Sequence, residues 1–167
     1  MRRSLLAAAA FLVVGSLASA QGPSAKPNFS GKWTLIADPA APAMQQGAAQ
    51  AADYGGLGEA SEITMDEKTI SIARPSQTVP KSVFNLDGSE TRTTIDVGGG
   101  TMVDLVLKSK WVEKKLAMTT WATFQGQTFQ IDLAFSLDDK GNLVVEHTVP
   151  PIGNNPGGSM TVKYKKQ

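Results

Sequence analysis

A chain of 167 residues, 41% hydrophobic and 19% charged, is long enough to bury one proper core and has the size of a single domain once a leader is removed. It contains no cysteine, which excludes disulfides, thiolate metal sites, a cysteine nucleophile and a lipidated cysteine. Sixteen Lys and Arg stand against 15 Asp and Glu, leaving no basic excess to neutralise phosphates, so nucleic acid is excluded as an expected partner.

Arg2 and Arg3 precede an uncharged run from Leu5 to Leu17 that ends at Ala18-Ser19-Ala20. A positive start, a short apolar stretch and small residues at its end predict a signal peptide over residues 1–20, cut after Ala20. Cleavage removes two arginines and no acid, leaving 14 basic residues against 15 acidic and a formal charge of −1. No later segment is apolar enough to span a bilayer, so the expected location is periplasmic or secreted, with no membrane span after signal cleavage. Residues 21–27, rich in Gly, Pro, Ser and Lys, read as a flexible leader, and one domain is expected over 28–167.

Phe29, Gly31, Trp33 and Leu35 alternate with Ser30, Lys32 and Thr34, the period of a half-buried first strand. Between Asp38 and Gly58 that rhythm stops. Ala41 to Ala52 reads either as a short helix begun at Pro42 or as an Ala/Gly loop interrupted at Gly47, in both cases placed where a barrel would carry a lid. Strand signals then recur: Ser61 to Met65, a turn at Asp66-Glu67-Lys68, and Thr69 to Ala73. Val79 to Leu86 and Ser89 to Val97 are expected to form a hairpin across Asp87-Gly88. After Gly98-Gly99-Gly100, Val103, Leu105, Leu107 and Trp111 share a face. Glu113-Lys114 turns the chain into Leu116, Met118 and Phe124, and Gln125-Gly126 leads to Phe129, Ile131, Leu133, Phe135 and Leu137. Asp138 to Gly141 precedes Leu143, Val145, His147 and Val149, and a final strand carries Met160, Val162 and Tyr164.

Short turns between successive strands imply antiparallel neighbours, and one apolar face per strand implies that the sheet closes on itself. The expected fold is therefore all-β, a single up-and-down antiparallel barrel of about 8–10 strands, with a two-sheet sandwich as the alternative.

The opening Asn28-Phe29-Ser30-Gly31-Lys32-Trp33-Thr34-Leu35 resembles the G-x-W first strand of the calycin group: lipocalins, fatty-acid-binding proteins and avidins. The resemblance gives Trp33 a structural role across the closed bottom of a lipocalin-like barrel and makes Gly31 the residue that permits close approach. The chain also resembles a group of small exported bacterial proteins that share this opening, the turn Leu86-Asp87-Gly88-Ser89, and the pairs Lys110-Trp111 and Lys115-Leu116. A second lipocalin motif, a C-terminal helix and an Arg-x-Tyr pair near the end are missing, so the ligands of those families do not carry over.

His147 is the only histidine, and parity puts it on the apolar face. It reads either as a ligand-contacting atom inside a barrel or as a partly buried, hydrogen-bonded side chain at a strand end, and its isolation favours the second; one imidazole is no metal site. Trp111 belongs with Leu105 and Leu107, whereas Trp121 is out of phase and points either outward or through a bulge. Asp132 and Glu146 fall on polar faces, and Asp66, Asp87, Asp138 and Asp139 sit at turns, so no acid/base pair or nucleophile triad assembles. No enzyme, metal or cofactor is expected. The leading expectation is a binding protein whose interior holds a small hydrophobic molecule against Phe29, Leu105, Leu107, Trp111, Met118, Phe129, Leu133, Phe135 and His147. The alternative is a filled-core interaction or inhibitor protein of the cell envelope, working through its loops.

Overall fold

The computed structural model describes residues 26–36, 57–75, 80–151 and 157–167. The expected signal peptide, the expected leader up to residue 25, the segment read as a short helix or loop between the first two strands, save Leu57 and Gly58, and Val79 at the expected start of a strand lie outside the described residues. The strands are β1 (Gly31–Leu35), β2 (Ala60–Met65), β3 (Thr69–Ala73), β4 (Ser82–Asn85), β5 (Thr91–Asp96), β6 (Met102–Val112), β7 (Lys115–Phe124), β8 (Gln127–Leu137), β9 (Leu143–Val149) and β10 (Gly158–Lys166).

All pairings are antiparallel, and the ten described strands form one sheet in the order β4-β3-β2-β1-β10-β9-β8-β7-β6-β5. This is a nearly closed up-and-down barrel, and no separate second sheet exists among the described residues to make a sandwich. First and last strands meet because β1 pairs with both β2 and β10, with Trp33 opposite Ser61 on one side and Lys166 on the other.

The hairpins are held by their own turn residues. Asp66 Oδ1 accepts the amides of Lys68 and Thr69, and Asp138 Oδ1 accepts those of Lys140 and Asn142. Gln125 and Gly126 both take positive φ, 49° and 78°, as a two-residue loop that follows the twist of β7 and β8 requires.

One expected hairpin is absent. β4 and β5 do not pair across Asp87-Gly88; they stand at opposite ends of the strand order. Asp87 Oδ1 accepts the amide and hydroxyl of Ser89, and Gly88 at φ 86° donates its amide to the Asn85 carbonyl, so the segment turns a corner without folding back. β4 and β5 then meet successive parts of β6. β5 pairs with Met102 to Leu107, and beyond it the Ser109 hydroxyl donates to the Asn85 carbonyl at 2.7 Å, joining β4 to β6. Ser109 is 1% exposed, so Ser109→Ala removes a buried donor at this seam. We expect a loss of about 1–2 kcal/mol, read as a lower urea midpoint at unchanged m-value.

Cross-strand register sorts the side chains into two faces. Trp111, Leu116, Phe135, Val145 and Val162 form one inward row; Ser109, Met118, Leu133, His147 and Met160 form the next. Opposite walls contribute Trp33, Ile63, Ile70, Ile72 and Phe84, and Phe29, just before β1, is completely buried among the core residues. Trp33 is 2% exposed, and its indole N–H donates to the Phe29 carbonyl at 2.8 Å. Gly31 has a φ of 145°, and a Cβ there would come within 2.5 Å of the Lys166 stem, which crosses toward the Trp33 ring. Trp121 faces Val106 and Gln130 on the outer side of the sheet, without a re-aiming bulge.

Candidate functional site

Of the nine side chains expected to line an interior, the eight that lie on strands share the inner face by register, and Phe29, before β1, is buried in the core. They differ in depth. Leu107, Met118, Leu133, Phe135 and His147 are buried, while Leu105, Trp111 and Phe129 are half-buried. Trp111 belongs to the filled end, where it stacks on Phe29 at 6.0 Å beneath the Lys26 ammonium. Leu105 and Phe129 belong to the other end: they flank Ala122 in one inward row, beside the row of Leu107, Thr120 and Ile131. There the inner wall is apolar yet reachable.

Polar groups also occupy that inner face. Ile70, Ile72 and Arg74 follow one another inward along β3 and past its end, so Arg74 enters the interior beside Ser61 of β2. Arg74 is 8% exposed, and its Nη1 donates to Ser82 Oγ at 3.2 Å. Tyr164, 2% exposed, donates its hydroxyl to the Gly58 carbonyl at 3.1 Å, tying β10 to the start of β2. Ser61 and His147 are each 3% exposed, and Ser61 Oγ and His147 Nε2 have no hydrogen-bond partner among the described residues. Buried polar atoms are nearly always paired, so two orphans in one barrel mark the interior as chemically unusual. His147, expected to be partly buried and hydrogen-bonded at a strand end, is instead buried, and its Nε2 has no partner among the described residues.

The electrostatics fit this geometry. Burial holds the His147 imidazole below its usual range, with the Arg74 charge adding to the effect. Burial pushes the Tyr164 phenol up to about 12, against a smaller opposite pull from Arg74. Arg74 itself is lowered by burial. At neutral pH the cluster therefore holds a guanidinium, a neutral imidazole and a neutral phenol.

A pH prediction follows with a defined sign. With a folded pKa below the ordinary imidazole value of 6.5, His147 is neutral in both states above that pH, and its contribution is complete there. As pH falls below 6.5 the unfolded chain takes up the proton first, and stability is lost until the folded pKa is passed. His147 is the sole histidine, and Asp138, held at about 2 chiefly by the Asn142 side chain, loses its contribution only below the ordinary carboxylate range. Denaturation curves from ~2 pH units below the imidazole value to ~1 unit above it should therefore slope in the parent and be flatter in His147→Gln. Equal slopes would refute the assignment.

A cleft of about 640 Å³ opens between the turns at the filled end, among Lys26, Asp66, Lys68, Asn85, Asp87 and Trp111. Asp66 and Asp87 already accept amides of their own turns, which makes it a solvated gap between loops. Among the described residues, no group of three His, Asp or Glu is placed to hold a metal, and no helix is long and apolar enough to cross a membrane.

Sequence reading passed over Arg74, Ser61 and Ser82. The signal was present for two of them: Arg74 continues the parity of Ile70 and Ile72, and Ser61 that of Ile63 and Met65. No family model matches the chain, and no curated protein matches it either.

Proposed function

We propose that the chain is exported through its N-terminal signal and that its barrel holds a small, largely apolar molecule inside. The observation that supports this most directly is the accessible apolar wall of β6, β7 and β8, where Leu105, Phe129 and Ile131 face inward without being fully covered. Interior positions of a side-chain-filled barrel would be closed off, as they are around Phe29 and Phe135. Native mass spectrometry of the purified protein, with analysis of its organic extract, tests the reading. A retained small molecule, or saturable binding of the neutral fluorophore N-phenyl-1-naphthylamine, is expected. No retained molecule and no saturable binding would overturn it.

A second reading is an envelope interaction or inhibitor protein acting through its loops. It draws support from Val97, Met102 and Phe124, exposed by 51%, 56% and 36% at the tips of the β5–β6 and β7–β8 hairpins. Cross-linking in the periplasm that captures one specific partner, lost on replacing Met102 and Phe124 by Ser, would favour it.

A further inference from the structure

We propose that two copies of this chain associate edge to edge through β5, each Thr91–Asp96 strand pairing antiparallel with the same strand of the other about a two-fold axis at Thr94. The surface is the rim of the sheet, so it holds whatever the interior contains. Three observations carry it: an open edge, a self-complementary register and uncovered apolar side chains beside it.

First, the strand order ends at β4 and β5, which do not pair with each other, and among the described strands β5 has only β6 as a ladder partner. In an antiparallel pair, residues that bond to the neighbour alternate with residues whose N–H and C=O point away from it. The Val97 amide donates to the Thr101 carbonyl at 3.0 Å, in the continuation of the β5–β6 register. Ile95, Thr93 and Thr91 therefore bond toward β6, and Arg92, Thr94 and Asp96 turn their backbone groups to the free side. The turn at Glu113-Lys114 fixes the same phase independently. Val112 and Lys115 close it as a bonded pair, which directs Asp104 and Val106 to β7 and leaves Val103, Leu105 and Leu107, the partners of Ile95, Thr93 and Thr91, for β5. Arg92, Thr93, Thr94 and Asp96 are all exposed. β4, at the other end of the order, is short and entered through Pro80 and Lys81, residues that blunt an edge, whereas β5 has neither Pro nor Lys.

Second, the edge is complementary to itself. Bonds form only in a register that sets free-side residues against free-side residues, and the one centred on Thr94 uses all three. Thr94 meets Thr94 of the second copy, and Arg92 meets Asp96 in both directions, for about six N–H···O bonds. Registers centred on Thr93 or Ile95 lose a facing pair and both charge pairs. Arg92 holds Glu90 through Nη2 at 2.7 Å, which leaves other N–H groups of its fork for Asp96 of the second copy, and Asp96 accepts the Gly98 amide at Oδ1, which leaves Oδ2. Third, the same register sets Thr93 opposite Ile95 and Thr91 opposite Val97 of the second copy, at the close, non-bonded positions where β-branched side chains pack across strands. Ile95 is half-buried and Val97 is 51% exposed, so both have apolar surface left to cover. A strand of six residues buries less than a standard interface, so the dimer is weak, with a Kd on the order of 10–100 μM.

Sedimentation equilibrium of the purified protein from about 1 to 300 μM should show a reversible dimer. Arg92→Asp and Asp96→Arg, each measured alone, should weaken it at least about tenfold, because like charges then face each other across the axis. Mixed together, the two variants should recover the parent's affinity to within about threefold, since each acidic edge then meets a basic one. Thr94→Cys supplies an independent readout. The chain has no cysteine, and bonded pairs hold their Cα atoms ~5.5 Å apart, within disulfide reach. Mild oxidation should cross-link Thr94→Cys at least about tenfold faster than Lys110→Cys, whose side chain is exposed on the outer face of β6. The charge and cross-linking tests use different residues, so each stands if a variant of the other fails to fold. A parent that stays monomeric to about 300 μM, a dimer that survives both charge reversals unchanged, or cross-linking of Thr94→Cys no faster than that of Lys110→Cys would each refute the proposal.

Discussion

Replacing Phe29 by alanine should destabilise the protein by about 3–5 kcal/mol, the usual range for emptying a fully buried phenylalanine site. Phe29 lies outside any strand, yet it is completely buried. Its ring stacks on Trp111 at 6.0 Å and meets Phe135 edge-on at 5.7 Å, while its carbonyl accepts the Trp33 indole N–H. Truncation removes the ring on which both packing contacts converge, and the neighbours can close the gap only by moving strands that are fixed by their ladders. A melting temperature lower by about 10 °C and a red-shifted tryptophan emission are expected, because Trp111 would lose its cover on the core side. A loss under about 1 kcal/mol would mean that this end of the barrel is not packed around Phe29.

The period-two pattern disclosed which residues face inward. From Met102 to Tyr164 the apolar face read from alternation is the inner face in every strand, and from β6 to β9 each hairpin has a short turn and no register to spare. What parity does not carry is partnership and depth. Asp87-Gly88 specifies a local reversal of direction but not which strands lie beside it, and the Ser109 to Asn85 bond that decides the seam is a contact between residues 24 apart. Depth escaped for a related reason: Phe129 and Phe135 have identical patterns around them, and only the position of each row along the barrel separates an accessible wall from a filled end. Arg74 was hidden by its residue type. Arginines are seldom buried, and Pro75 marks a strand end, so the alternation of Ile70 and Ile72 was stopped one step short of the residue that charges the interior.

Phe135 and Phe129 therefore make a paired experiment on that difference in depth. Phe135 is completely buried between Leu116 and Val145 and against Phe29, so Phe135→Ala should cost about 3–5 kcal/mol whether or not any ligand is present. Phe129, six residues earlier on the same face of β8, is half-buried between Ala122 and the open end, and its truncation should cost no more than about 1–2 kcal/mol. Binding should move the other way. If the accessible wall holds the ligand, Phe129→Ala weakens N-phenyl-1-naphthylamine by about tenfold while the folded fraction at 25 °C stays near that of the parent. Combining Phe135→Ala with Phe29→Ala should cost less or more than the sum of the two, because the rings touch, whereas Phe129→Ala, with no ring contact to either, should add independently to each. Were Phe129→Ala as damaging to stability as Phe135→Ala, the far end would be as filled as the near one, and the interior would have no wall left for a ligand to cover.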